Sequence, residues 1–225
     1  MKWFVFFQFS LISFLSFADP VDNFHIVTEG RVSRGARPIN EEEVMALKAI
    51  GIQTVVNLQG GDFVNQLPGH TGDWFEKGEY PDEINAEKKM VADHGMGFVS
   101  APLDSMMEIG ADADLIADPK QILNNQYYVV REVMWILQSP QIYGNIFIHC
   151  AHGADRTGMI IALYRQLFDC WSAQDALNEM KAHGHNFLHQ MFTSEMSQAV
   201  TNEALLSRLR QDLQLPKCSA LARAR

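Results

Sequence analysis

Cysteine is scarce in this chain of 225 residues, and positive charge is in deficit. The three cysteines, Cys150, Cys170 and Cys218, are odd in number and therefore do not indicate a disulfide framework. Cys170 comes at the end of a predicted helix, and we expect it to be a buried core residue. The 18 basic residues against 27 acidic ones give a formal net charge of −9. Since nucleic acids bind to basic faces, we expect no nucleic-acid partner.

The apolar run at the N-terminus is too short to span a membrane. Residues 3–17 are mostly apolar, whereas a spanning helix needs about 20 such residues. Lys2 gives the run a positive start, and Ser16-Phe17-Ala18 is a small-x-small cleavage site. This pattern is typical of a secretory signal peptide; a buried N-terminal helix is the alternative. We therefore expect residues 1–18 to be removed, the protein to be periplasmic or secreted, and the mature chain to hold no integral membrane segment.

Short apolar segments alternate with helix-like segments along the rest of the chain. This alternation predicts an α/β fold of three α/β/α layers around a largely parallel sheet of four to five strands. We expect one domain over residues 19–215 and a loose C-terminal tail over residues 216–225. The predicted strands are 24–27 with 30–32, 54–58, 97–101 and 145–148. The predicted helices begin at or just after Asn40, Asp82, Asp118 and Ser172, with a further helix over 157–168 and a last one over 193–213. Residues 59–81 and 102–118 are predicted loops.

One segment carries the chemistry, residues 148–158. A strand, a tight loop and a helix N-terminus together bind phosphate, because loop amides and the helix dipole favour negative charge. The same field favours an ionised thiol, so we expect Cys150 to be a nucleophilic thiolate. Arg156 has the forked donors that hold two phosphoryl oxygens, and Gly153 permits the turn. Thr157 places a hydroxyl where it can donate a hydrogen bond to the thiolate when that thiolate is the leaving group. The predicted phosphate-binding residues are Ala151, His152, Gly153, Ala154, Asp155 and Arg156.

A buried core cysteine is the plain alternative for Cys150, but it would need no glycine, arginine and threonine at these offsets. The overall negative charge also means that a phosphate pocket must be a local basic island. The basic residues that could form it are Arg31, Arg34, Arg37, Arg156, Lys88 and Lys89.

The run from His149 and Cys150 through five residues to Arg156, Thr157 and Gly158 resembles the signature of the cysteine-dependent phosphatases. These include tyrosine and dual-specificity protein phosphatases, lipid phosphatases and tyrosine-phosphatase-like inositol phosphatases (phytases). Residues 34–38 and 51–58 are similar to the opening of small bacterial and fungal dual-specificity-like members, in which an arginine usually stands where Gln59 stands here. Rhodanese-like sulfurtransferases are an alternative, but their loop is usually shorter.

The resemblance implies roles for two further groups. The histidine before the nucleophile, His149, orients the loop, and a general acid protonates the leaving oxygen. By position, the acid is Asp104, directly after strand 97–101. Asp155 is the rival, as in some lipid-directed relatives, and the remaining candidates are Asp112, Asp114 and Asp118.

These observations predict an exported phosphoric monoester hydrolase that forms a phosphocysteine and needs no metal or other cofactor. Inositol polyphosphates are the first expected substrates. A dual-specificity or tyrosine protein phosphatase acting on phosphopeptides is the alternative, and a catalytically silent phosphate-binding module is an alternative of another class. His183, His185 and His189 are spaced as metal ligands can be, but we expect surface or substrate-contact histidines.

Overall fold

A five-stranded sheet in the order β1-β2-β5-β3-β4 forms the centre of the protein. The structure is a computed structural model that describes residues 19–59, 81–103, 119–185 and 196–218. Only β1 is antiparallel to its neighbour, and the other three pairings are parallel. The predicted α/β class and largely parallel sheet are therefore confirmed. The strands are β1 (His25–Thr28), β2 (Val32–Ala36), β3 (Thr54–Asn57), β4 (Gly97–Ser100) and β5 (Ile146–Cys150).

Helices cover both faces of this sheet, because alternate strand residues are apolar towards opposite sides. On one face, Ile146 and Ile148 of β5 pack with α3, α5, α6 and α8. On the other face, Phe147 of β5 packs with α1 and the end of α2. The helices are α1 (Glu41–Ala49), α2 (Pro81–Asp93), α3 (Pro119–Leu137), α4 (Pro140–Tyr143), α5 (Asp155–Phe168), α6 (Ala173–Ala182), α7 (196–201) and α8 (Glu203–Asp212).

Two helix starts follow the predicted capping pattern. The side chain of Asn40 accepts a hydrogen bond from the Glu43 amide at 2.9 Å, and Glu43 accepts one from the Ile39 amide at 2.9 Å. Ser172 accepts from the Asp175 amide at 3.1 Å and so begins α6. These polar side chains satisfy amides that the first helical turn leaves without partners.

The prediction of one continuous C-terminal helix over 193–213 is wrong, because the described part of this segment forms two helices. Helical residues end at 201 and begin again at Glu203. Asn202 between them has an extended backbone, and its side chain accepts from the Leu205 amide at 3.0 Å. An asparagine side chain competes with the helical hydrogen bond and here begins a new helix.

The prediction for Cys170 is also wrong. Cys170 forms a disulfide with Cys218, 48 residues further along the chain, and Cys150 is the free cysteine. The odd number of cysteines did not exclude a disulfide, because Cys150 lies in the predicted phosphate loop and stays free. The other two cysteines then form a pair. The bond ties residue 218 to the end of α5, so the described part of the predicted tail, residues 216–218, is anchored there.

Several predictions concern residues outside the described ranges. These are the signal peptide over 1–18, most of the loop over 59–81, the loop residues 104–118 with their aspartates, and His189. Within the described ranges, no helix is both long and apolar enough to cross a membrane.

Candidate active site

The strand, loop and helix predicted for residues 148–158 are present. β5 ends at Cys150, residues 151–154 turn, and α5 begins at Asp155. β5 lies between β2 and β3, so the loop stands at the carboxyl edge of the sheet, where ligands of parallel α/β proteins bind. Cys150 is 4 % exposed and packs in the same cluster as the apolar residues of α5.

Gly153 is required by the geometry of the loop. Its φ is +70°, and a Cβ at this position would lie 2.4 Å from the carbonyl carbon and oxygen of Gly35. A side chain would therefore collide with the end of β2 as well as strain the backbone. The loop and β2 are packed backbone against backbone, and the Arg37 amide adds a hydrogen bond to the Ala151 carbonyl at 3.2 Å.

A buried arginine lies beneath the loop. Arg34 of β2 is 1 % exposed, and its Nη2 donates to the Gly153 carbonyl at 2.5 Å. Its Nε and Nη1 have no hydrogen-bond partner in the described part of the chain. Burial lowers the pKa of Arg34 to about 10, while the negative charges of Glu179 and Cys150 act in the opposite direction. Arg34 thus brings a positive charge under a loop that is predicted to bind an anion.

The other predicted basic residues lie in different places. Arg156 is in the first turn of α5 and 7 % exposed. Arg37 follows β2 beside the loop, as its amide contact with Ala151 shows. Arg31 precedes β2 at the opposite end of the strand, and its Nη2 donates to the Leu137 carbonyl at 3.5 Å. Lys88 and Lys89 are exposed on α2. The island therefore consists of Arg34, Arg37 and Arg156.

Arg156 also links the loop to the segment that precedes the predicted acid. Its Nη1 donates to the Leu103 carbonyl at 3.3 Å, and Leu103 is buried. Asp104 itself lies outside the described residues. Thr157 is fully buried, and its hydroxyl has no hydrogen-bond partner among the described residues, which leaves it open to donate to a thiolate.

The rival acid Asp155 is tied to a histidine. Its Oδ1 lies 2.7 Å from Nδ1 of His185, and Nε2 of His185 lies 3.0 Å from the Ser197 hydroxyl. His185 is 1 % exposed, so the expectation of a surface or substrate-contact histidine is wrong for this residue. Both ring nitrogens have polar partners, which is how a buried histidine is accommodated. The contact joins the predicted phosphate loop to α7.

A second histidine pair lies at the outer rim of the loop. The rings of His25 and His183 are 3.9 Å apart between centroids. Asn23 donates to the His152 carbonyl at 3.0 Å and to the His183 carbonyl at 3.1 Å, so it joins this rim to the loop. Burial, followed by the charges of Arg34 and His25, lowers the pKa of His183 to about 4. No cluster of three or more His, Cys, Asp or Glu side chains that would suit a metal ion occurs among the described residues.

A network on the other face of the sheet was not predicted. Nε2 of His149 lies 2.7 Å from Oε1 of Glu87 in α2, and Nδ1 lies 3.1 Å from the Cys150 carbonyl oxygen. Asn57 at the end of β3 donates to the other Glu87 oxygen at 2.9 Å. Glu87 belongs to none of the motifs recognised in the sequence. Only its position on the apolar side of a predicted helix is unusual for a glutamate.

The model of the tyrosine phosphatase family matches residues 20–177. The chain belongs to the tyrosine phosphatase family. This match confirms the resemblance to cysteine-dependent phosphatases, and it includes the loop, α5 and every described residue of the island.

Curated relatives in this family include the dual specificity protein phosphatase TpbA from two Pseudomonas aeruginosa strains. The chain is 40% and 42% identical to them over 55 residues, which are 24% of this chain. The aligned segment spans only about a quarter of the length of these curated relatives, 25%.

Solved structures of the family share the fold over most of the chain. P. aeruginosa TpbA matches with a TM-score of 0.57 and 21% identity, covering 88% of this chain and 94% of that one. A variant of TpbA in complex with pTyr gives the same values. The core catalytic domain of the PP-IP phosphatase SIW14 from S. cerevisiae, in complex with citrate, matches with a TM-score of 0.52, 17% identity, and coverage of 87% and 94%. The fold is that of cysteine-dependent phosphatases.

Proposed function

We propose that this protein is a phosphoric monoester hydrolase that works through a phosphocysteine. The observation that carries the proposal is the loop between β5 and α5, with Cys150 at its start and Arg156 just past its end. The Cys150 thiolate attacks phosphorus, the P–O bond to the leaving group breaks, and Asp104 gives that oxygen its proton. Water then attacks the phosphocysteine and passes a proton to Asp104, which releases phosphate and restores the thiolate.

Charge stabilisation in this reaction comes from the chain's own groups. The loop amides and the amino end of α5 face the transferring phosphoryl group, and Arg156 holds its oxygens. Arg34 adds a positive charge from below while fixing the Gly153 carbonyl. No residue set for a catalytic metal enters this scheme.

The charges near the loop favour a substrate with a single phosphoryl group, such as phosphotyrosine. Of the predicted basic residues in the described part of the chain, Arg34 is buried beneath the loop and Arg31 lies at the far end of β2, which leaves Arg37 beside the loop for a further phosphate. In sequence, the segment 104–118 that follows Leu103 holds five acidic residues and no lysine or arginine. The likeness to TpbA, named a dual specificity protein phosphatase, supports the same choice.

Inositol polyphosphates are the second candidate. The fold likeness to the core of SIW14, named a PP-IP phosphatase, favours them, and the half-buried Arg37 beside the loop could bind one additional phosphate.

We also propose that the protein is exported. Residues 1–18 have the pattern of a signal peptide, and the Cys170–Cys218 disulfide fits the oxidising conditions outside the cytoplasm.

Phosphate release from a substrate panel tests this function. The panel holds phosphotyrosine and phosphoserine peptides, inositol hexakisphosphate and p-nitrophenyl phosphate, each with EDTA present and with Cys150→Ser as the control. We expect the phosphotyrosine peptide to be hydrolysed with the highest kcat/KM and EDTA to change nothing. A preference for the inositol phosphate would select the second candidate, and equal release by Cys150→Ser would reject the mechanism.

A further inference from the structure

A buried histidine–carboxylate pair lies directly behind the nucleophile. His149 precedes Cys150 on β5, and Glu87 reaches it from α2 with Nε2 and Oε1 2.7 Å apart. The two side chains are 0% and 1% exposed. Removing two ionisable groups from water costs free energy that their pairing does not always recover. A buried pair at this place is therefore a candidate for a role in function.

The hydrogen bonds around His149 determine where its protons are. Nδ1 lies 3.1 Å from the Cys150 carbonyl oxygen, which can only accept, so Nδ1 carries a proton. Nε2 lies 2.7 Å from Oε1 of Glu87, and neither atom has a hydrogen-bond partner elsewhere in the described part of the chain. Either His149 is an imidazolium beside a carboxylate, or a neutral His149 accepts a proton from Glu87.

The surroundings of Glu87 are those of a carboxylate. The side-chain NH₂ of Asn57 donates to Oε2 of Glu87 at 2.9 Å. The backbone amide of Gln59 donates to the side-chain oxygen of Asn57 at 2.6 Å. These donors fix the direction of the Asn57 amide, so its NH₂ group points at Glu87. Hydrogen bonds from donors favour the ionised form of a carboxyl group. The ring of His149 is held from the side by Phe147, with 5.6 Å between ring centroids.

We propose that Glu87 is a positioning residue of this active site: its carboxylate keeps His149 doubly protonated, and the imidazolium charge lies on the residue that precedes Cys150 in β5. The role rests on the proposed function and extends it. The positions paired with His149 in the neighbouring strands are Gly35 of β2 and Asn57 of β3, neither of which titrates. Arg34 lies on the opposite face of the sheet from His149, where its charge interacts with that of Cys150.

The isosteric change Glu87→Gln isolates the charge. With its oxygen towards Asn57 and its NH₂ towards His149, glutamine keeps the hydrogen bond from Asn57 and can place its NH₂ against Nε2 only of a neutral imidazole. Glu83→Gln is the matched control, since Glu83 is exposed on the same helix.

Nitrogen NMR of the histidine-labelled full chain measures the proton count directly. The His149→Asn variant identifies the His149 signals. We expect both ring nitrogens of His149 to be protonated at pH 7 in the wild type and in Glu83→Gln, and one in Glu87→Gln. A neutral His149 ring in the wild type would overturn the proposal, and this measurement stands even if Glu87→Gln fails to fold.

The second measurement is the pH dependence of Cys150 alkylation by iodoacetamide. We expect Glu87→Gln to raise the midpoint by about one pH unit and Glu83→Gln to leave it unchanged. In a His149→Asn background, Glu87→Gln should shift the midpoint no further, because the effect passes through His149. An unchanged midpoint in Glu87→Gln, or an equal shift in both backgrounds, would reject the proposal.

Neither measurement uses phosphate release. A protein that alkylates as expected but hydrolyses none of the panel would contradict the proposed function and leave the role of Glu87 standing. Conversely, full hydrolysis with a neutral His149 would contradict only the role of Glu87.

Discussion

Arg34 and Gly153 are 119 residues apart in the chain, yet the Arg34 guanidinium donates to the Gly153 carbonyl at 2.5 Å. The bond directs a loop carbonyl down towards β2, away from the opening of the loop. The amides of the loop are then free to face an anion. A single side chain therefore fixes the loop backbone and supplies positive charge.

Replacing Arg34 should weaken oxyanion binding. Arg34→Met leaves the Gly153 carbonyl buried without its donor and removes the charge, and a hydrogen bond from a charged group contributes about 1.5–3 kcal/mol. We expect the Kd for tungstate, measured by calorimetry, to rise by about 10–100-fold. Arg34→Lys should recover part of the loss. Arg31→Met, at the far end of β2, is the control, and an equal effect there would contradict a local role.

Cys150→Ser should abolish turnover and leave the fold and anion binding intact, because a serine hydroxyl is not ionised at neutral pH. We expect the rate of phosphate release to fall by more than about 100-fold. The melting temperature should still rise when tungstate is added. Residual activity near the wild-type rate would show that another group attacks phosphorus.

The identity of the general acid can be read from its dependence on the leaving group. Asp104→Asn should lower kcat for phosphorylated alcohols by about 10²–10⁴-fold, and much less for p-nitrophenyl phosphate, whose leaving oxygen needs little protonation. Asp155→Asn removes the negative charge beside His185 and should weaken phosphate binding for both substrates alike. If the leaving-group dependence is found for Asp155→Asn instead, Asp155 is the acid.

Stability should fall as the pH is lowered from about 6.5 to about 4. The pKa of His183 is lowered from 6.5 to about 4 in the folded protein, so in this range the unfolded chain binds a proton that the folded chain does not. Urea unfolding measured at pH 7, 5.5 and 4.5 should show a steeper loss in the wild type than in His183→Gln. Parallel profiles for the two proteins would contradict this assignment.

The disulfide should contribute substantially to stability. Cys170 and Cys218 are 48 residues apart, and closing a loop of that length in the unfolded chain is worth about 4 kcal/mol in the chain-entropy model. The double variant Cys170→Ser/Cys218→Ser should therefore unfold at lower urea, with a free energy of unfolding about 2–4 kcal/mol smaller. Its kcat should stay close to the wild-type value. An unchanged unfolding midpoint would contradict the contribution of the cross-link.

The elements around the loop could be predicted because their signals are local. Apolar strands, the cap residues Asn40 and Ser172, and Gly153 each act within a few residues. The side-chain pairs that support the site could not be predicted from the sequence, since each pair joins segments that are distant in the chain. Glu87 meets His149 only because α2 packs on the sheet face to which His149 points, and Asp155 meets His185 across 30 residues.

The disulfide shows a limit of counting. An odd number of cysteines argues against a framework only if all of them have the same role, and here one of the three begins the predicted phosphate loop. The break at Asn202 has a similar origin. Apolar periodicity continues through it, and only the competition between its side chain and the backbone ends the helix.

Cys150 and the Cys170–Cys218 bond lie at opposite ends of α5, which has 14 residues and is therefore about 21 Å long. In the folded chain the nucleophile cannot reach that bond to exchange with it. The protein thus holds one free sulfhydryl, and that sulfhydryl belongs to the proposed nucleophile. Titration of the native, unreduced protein with a thiol reagent would therefore measure the fraction of molecules whose Cys150 is a free thiol, before any substrate is known.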